Sequence, residues 1–141
     1  MNPFLASPQA RWMLVDDSES ILIMLSAVLE NLTGATIECH TTPQAALAAL
    51  QAAPESYQLV ITDFEMPGMD GVELCRRLRA LAPAQKIILA TGSGFFTEAA
   101  ARHAGFSALL DKPFPLPQLK AALAKTLGAS PENVSANLVA A

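Results

Sequence analysis

Four apolar runs in this 141-residue sequence each lead into a residue that can do chemistry. Trp12 to Val15 is followed by Asp16-Asp17, Leu59 to Thr62 by Asp63, and Ile87 to Ala90 by Thr91. Phe106 to Leu110 leads to Lys112. An acid that closes a buried strand and opens a Pro/Gly-rich turn, as Asp63 does before Phe64-Glu65-Met66-Pro67-Gly68-Met69-Asp70-Gly71, sits at a sheet edge facing solvent. Open α/β sheets place their chemistry at that edge. If the strands are parallel neighbours, the four ends converge. Two like charges at 4 Å repel by about 4 kcal/mol at an effective dielectric of ~20, so three gathered acids call for a divalent cation and the lysine. Carboxylates and water around a small hard ion suit Mg²⁺. A carboxylate beside a metal and an amine is a competent nucleophile toward phosphorus.

Taken singly, each residue has a plainer reading. Asp16-Asp17 could be a charge pair at a helix N-terminus beside Ser18, where the helix dipole favours acids. Thr91 could be a turn residue before Gly92, and Lys112 a solvated loop lysine. Asp63 is harder to explain away, because an uncompensated acid after a buried strand needs a reason.

The elements that would position these residues alternate strand and helix five times. Strands are expected at Trp12 to Asp16, Ala35 to His40, Tyr57 to Thr62, Lys86 to Ala90 and Phe106 to Leu110. The first helix, Ser18 to Leu32, repeats apolar residues at i, i+3, i+4 and i+7, with Ser18 as N-cap and Gly34 as stop. The second starts at Thr42-Pro43, Thr as cap and Pro at the first position, and ends by Ala53. The third spans Gly71 to Leu81, the fourth Phe95 to Ala104, and the last about Pro115 to Leu127. Five βα units argue for an α/β doubly wound sheet with helices on both faces.

Residues 1–10 read as a lead-in, 11–128 as the single domain, and 129–141 as a tail expected to be flexible. Hydrophobic residues make up 52% and charged residues 16%, which suits a parallel sheet covered on both faces. The net charge of −4 leaves no broad footprint for direct nucleic-acid contact. The one basic cluster, Arg76, Arg77 and Arg79, reads as a solvated helix face. Cys39 and Cys75 form no CxxC pair and read as strand and helix packing in a reducing compartment. His40 and His103 lack clustered partners, so surface or packing roles are favoured over metal. The longest strongly apolar stretch, Ile21 to Leu29, falls far short of the ~20 residues that span a bilayer, and a cytoplasmic location without membrane insertion is expected.

At four places the chain resembles the receiver domains of the two-component response-regulator family: Val15-Asp16-Asp17-Ser18, the stretch Asp63 to Gly71, Ala90-Thr91-Gly92 and Asp111-Lys112-Pro113-Phe114. Each motif is weak alone, but four in order at strand ends are specific. The resemblance covers roughly residues 11–128. It implies a flavodoxin-like (βα)5 fold with a five-stranded parallel sheet in order 2-1-3-4-5. It assigns Asp63 as phosphoacceptor. Asp17, Asp63 and the Glu65 backbone carbonyl become Mg²⁺ ligands, with Asp16 acting through water. Thr91 and Lys112 would bind the phosphoryl oxygens, and the Lys112-Pro113 bond would be cis. By the same resemblance the protein is a bacterial phosphoprotein of a phosphorelay and no enzyme beyond slow self-phosphorylation and dephosphorylation. Its phosphodonor would be a sensor histidine kinase or a histidine phosphotransfer protein, and its output the binding of an unknown downstream protein target.

Charge-assisted hydrogen bonds are worth roughly 1.5–3 kcal/mol each, and moving a switch from 1:99 to 99:1 takes about 5.5 kcal/mol. Contacts from Thr91 and Lys112 are together about sufficient. One position departs from the family pattern. Many relatives carry Tyr or Phe three residues before the lysine, and here stands Leu109, which has no ring to swing. Phe95, Phe96 or Phe106 could substitute. Of the adjacent Phe95-Phe96 pair, one ring could instead form part of a partner surface. Glu65 and Ser93 are expected to tune phosphorylation lifetime.

Two rivals remain. Haloacid-dehalogenase-like phosphohydrolases also use an aspartate nucleophile, then Thr/Ser, then Lys, yet their extra metal-binding acids follow the lysine. A pseudo-receiver binding module would never take phosphate, and the intact Asp17, Asp63, Thr91 and Lys112 set argues against it. Met1 and the trailing segment favour a stand-alone protein over a receiver from a longer regulator.

Overall fold

Alternation of side chains along each strand divides the apolar residues between two faces of one sheet, and that division explains the architecture. In the computed structural model, which describes residues 10–128 apart from 93 and 95, the chain runs β1 (Arg11–Val15), α1 (Glu19–Thr33), β2 (Thr36–His40), α2 (Pro43–Ala52) and β3 (Tyr57–Thr62). It continues through α3 (Gly71–Leu81), β4 (Ile87–Thr91), α4 (Glu98–His103), β5 (Ala108–Asp111) and α5 (Leu116–Leu127). The strands form one parallel sheet in the order β2-β1-β3-β4-β5, as expected. On β1, Trp12 and Leu14 join a core with Leu22, Leu25 and Leu29 of α1 and Leu119 and Leu123 of α5. Met13 and Val15 join the opposite core, with Leu50 of α2, Leu74 and Leu78 of α3, and Ala101 of α4. The right-handed crossover of each parallel βαβ unit requires this split.

Helix starts follow the expected caps. Ser18 accepts from Ile21 N at 3.4 Å and Thr42 from Ala45 N at 3.1 Å. Gly34 closes α1 in the left-handed region at φ 74°, the conformation for which glycine is suited.

Several expectations need correction. Helix α4 begins at Glu98, because Thr97 caps it by accepting from Ala100 N at 3.0 Å. Strand β5 begins at Ala108, because the Phe106 N–H is spent on Ala101 O in the turn that ends α4. Strand β1 stops at Val15, and β4 includes Thr91. Cys39 is exposed on the edge strand β2 rather than buried in strand packing. Arg79 is not part of a solvated face: its guanidinium turns back to donate to Gly105 O at 2.8 Å and to Pro83 O at 3.2 Å, tying α3 to the loop after α4. Arg76 and Arg77 do stay at the surface, paired with Glu73. The lead-in (but for Ala10), the tail, Ser93 and Phe95 lie outside the described residues. Among the described residues no helix is long and apolar enough to cross a membrane.

The topology also creates the site. From β1 the chain crosses to β2 on one side, and from β3 it crosses to β4 on the other. The carboxyl ends of β1 and β3 therefore flank a crevice that no crossover covers.

Candidate functional site at the carboxyl edge of the sheet

Backbone pairing carries the ladder one residue beyond β1 and β3, and so fixes the acids. Asp16 N donates to His40 O at 3.1 Å and Asp63 N to Val15 O at 2.9 Å. One carboxylate oxygen each from Asp16, Asp17 and Asp63 falls within a mutual 4.8 Å. The three differ in setting. Asp16 is 5% exposed, Asp63 is half-buried and Asp17 is exposed.

Asp16 is held at both oxygens. Oδ1 accepts from Ser18 N at 2.9 Å, and Oδ2 accepts from Lys112 Nζ at 2.7 Å. The same ammonium lies 3.5 Å from Asp63 Oδ1, which also accepts from Phe64 N at 2.8 Å. The Lys112 N–H bonds Thr91 O at 2.8 Å, which sets its backbone beside the end of β4. The Lys112-Pro113 peptide bond is cis. Thr91 itself is 1% exposed at the end of β4.

Three acids against one ammonium leave the edge short of positive charge. Burial pushes the Asp63 carboxyl above the usual carboxylate range; Lys112 pulls it down and the Asp16 charge raises it again. A divalent cation fits such a donor set: oxygen ligands, close together, two of them open to solvent. Asp17, Asp63, Glu65, Met66, Pro67 and Asp70 line an open cleft of about 580 Å³ there, with room for a tetrahedral group.

Sequence reasoning missed two contributors. The sequence marks Gly71 only as a helix start. A Cβ there would lie 2.3 Å from Asp63 O and 3.0 Å from Phe64 Cα, and Gly71 N donates to Phe64 O at 2.8 Å. The absent side chain therefore lets α3 begin directly against the backbone of the acid. The available signal was a glycine following Asp70, which caps α3 by accepting from Glu73 N at 2.8 Å. The second is Phe64, whose ring meets Phe96 edge to face with centroids 4.9 Å apart. Phe96 is half-buried in this contact, and Leu109 packs against the same core.

Away from the edge, Glu38 accepts from Arg11, from Tyr57 Oη at 2.7 Å, and makes a 2.8 Å contact with His40 Nε2. His40 is thus bound into a polar network on β2.

With this geometry in place, comparison with known proteins is decisive. The model of the response regulator receiver domain matches residues 13–124. The chain belongs to that family. As a receiver domain it resembles the transcriptional regulatory protein FixJ of Azorhizobium caulinodans, with 32% identity over 120 residues, covering 84% of this chain and 56% of FixJ. It also resembles the aerobic respiration control sensor protein ArcB of Escherichia coli K12, with 30% identity, covering 84% of this chain and 15% of ArcB. The chain thus spans about half the length of the first relative and a small part of the second. Among solved structures, a CheY-like receiver domain protein from Methanospirillum hungatei superposes with a TM-score of 0.74 at 27% identity, covering 90% of this chain and 98% of that one. The flavodoxin-like receiver fold is thereby established, and with it membership in the receiver domains of two-component response regulators.

Proposed function

We propose that this receiver domain accepts a phosphoryl group on Asp63 from the phosphohistidine of a sensor histidine kinase or a histidine phosphotransfer protein, and signals by phosphorylation-dependent binding of a downstream protein. One observation carries the reading. A single ammonium, Lys112, bridges the buried Asp16 and the cleft-facing Asp63, at 2.7 and 3.5 Å. Such a charge is set to meet an anionic group arriving at Asp63.

An Asp63 oxygen attacks phosphorus, an O–P bond forms, and the P–N bond to the donor imidazole breaks. The electron pair leaves with the ring nitrogen, which takes a proton. Asp17, Asp63 and the Glu65 carbonyl are the groups that would hold Mg²⁺, with Asp16 behind them through water. The ion supplies charge neutralisation of the transferring phosphoryl group. Lys112 offers the second positive charge and Thr91 a hydroxyl at the end of β4. Because phosphohistidine donors are made from ATP, the reading implies a cytoplasmic location.

The energetics of the switch differ from the simple sum. Lys112 is already spent on Asp16, so turning toward a phosphoryl oxygen exchanges one charge-assisted bond for another. Its gain is then below the ~1.5–3 kcal/mol of a newly made bond, and the two contacts together fall short of the about 5.5 kcal/mol that a shift from 1:99 to 99:1 takes. A further contact must contribute.

The test is incubation with Mg²⁺ and acetyl phosphate, followed by intact mass and by pull-down with each form. A single phosphoryl adduct lost in Asp63→Asn supports the reading. Sustained multiple turnover of phosphate esters would instead favour a phosphohydrolase.

A further inference from the structure

The residue after Asp63 is tied to the acid by its backbone and to the next loop by its ring. Phe64 N donates to Asp63 Oδ1 at 2.8 Å, so the 63–64 peptide is oriented by the charge on the carboxylate. The Phe64 ring stands edge to face on Phe96, at 74° and 4.9 Å between centroids. Phe96 immediately precedes Thr97, the cap of α4. Glu98, the first residue of that helix, is ion-paired with Lys125 of α5. One continuous line of contacts therefore runs from the carboxylate of Asp63 to two helices of the domain. It bypasses Leu109, which has no ring and lies half-buried against the same core as Phe64 and Phe96.

We infer that the Phe64–Phe96 ring pair is the element that carries the state of Asp63 to α4 and α5. The inference rests on the reading of Asp63 as phosphoacceptor. Once one carboxylate oxygen is esterified to phosphorus, the carboxyl no longer offers its former charge to the Phe64 N–H. The new phosphoryl oxygens are the stronger acceptors, and the 63–64 peptide turns toward them. Gly71 N holds Phe64 O at 2.8 Å, so the carbonyl end of Phe64 stays in place while its N–H end moves. The side chain must then swing about its Cα. An edge-to-face pair is directional, so Phe96 follows Phe64 or the contact is lost. Because Thr97 caps α4, a displacement of Phe96 is delivered to the first turn of the helix and to the Glu98–Lys125 bridge. The pair thus provides the two-state contact that both ends of the coupling can bias.

The test compares wild type, Phe96→Leu and Phe96→Tyr, each with Mg²⁺ with and without acetyl phosphate. Phosphate uptake is read by intact mass. The response of the helices is read from the carbonyl carbons of Glu98 to His103 and the Nζ of Lys125, which sense ring currents only weakly. All three proteins are expected to take up phosphate equally. Phe96→Tyr keeps the ring and should respond as wild type does, whereas in Phe96→Leu the response should fall at least about twofold. A full response in Phe96→Leu, or no recovery in Phe96→Tyr, overturns the inference while leaving the phosphoacceptor reading intact. Loss of uptake in Phe96→Leu also overturns it, by placing the ring in the input rather than the output. No mass gain in the wild type sinks both readings. If Phe96→Leu melts markedly lower than wild type, Phe96→Met, closer in length and flexible enough to fill the gap, takes its place with the same outcomes.

Discussion

Lys112 and Asp16, 96 residues apart in the chain, are joined by a 2.7 Å charge-assisted hydrogen bond at the carboxyl edge of the sheet. Their side chains are 19% and 7% exposed, so the pair is largely removed from water. The bond holds the amine beside Asp63 before any phosphoryl group arrives.

Removing one partner of such a pair leaves a buried charge uncompensated. Lys112→Met should destabilise the protein by about 3 kcal/mol in urea unfolding without divalent cation. Adding Asp16→Asn to that variant should recover a substantial part, because the stranded charge is gone. Additive losses would mean that the 2.7 Å bond carries no coupling.

Gly71→Ala tests the close approach of α3 to the acid. With backbone 2.3 Å from the added carbon, neither side can yield by a rotamer change. A loss of about 2–3 kcal/mol is expected, together with slower phosphate uptake at Asp63. Denaturant titration and time-resolved intact mass check the two effects separately.

A divalent cation held by Asp17 and Asp63 would stabilise the folded state by mass action. At a Mg²⁺ concentration 100-fold above Kd the gain is about 2.7 kcal/mol. Thermal melts should rise accordingly in wild type, and Asp17→Ala should lose most of the rise. An equal rise in Asp17→Ala would remove that residue from the ligand set.

The Glu38 network gives a pH signature remote from the site. Burial and the hydrogen bond to the Glu38 carboxylate push the Tyr57 hydroxyl up to about 12. Its neutral form is therefore favoured by folding, and the stability it contributes is present below pH 10 and lost as pH rises toward about 12. Glu38 shifts the other way: burial raises it, but hydrogen bonds from Tyr57, His40 and Arg11 together hold it below the usual range. Its contribution is present above the ordinary carboxylate pKa and lost as pH falls through the lowered value. Tyr57→Phe should melt with a smaller decline than wild type between pH 9 and about pH 11.5. Parallel profiles would show that the hydroxyl is not linked to folding.

Fold and site were legible to different depths, for physical reasons. Apolar runs ending in polar residues marked the strands and their chemistry together, which is why Asp16, Asp63, Thr91 and Lys112 could be read from order alone. Phe106 misled because an apolar residue before a strand looks like the strand; its N–H bonds Ala101 O instead. The start of α4 was written in Thr97 as a cap, yet the alanine-rich stretch around it carries too little periodicity to fix a boundary. The Lys112–Asp16 bond, the Gly71 contact and the Phe64–Phe96 pair depend on where side chains meet across the fold. No spacing in the chain encodes that directly.

The most direct test of the central claim is intact mass after incubation with Mg²⁺ and acetyl phosphate, with the modified residue located by borohydride reduction of the acyl phosphate and peptide mapping. The expected result is one phosphoryl group per chain, at Asp63, absent from Asp63→Asn and from samples kept in excess chelator. Absence of the adduct from wild type, or its persistence in Asp63→Asn, would contradict the assignment of Asp63 as the phosphoacceptor.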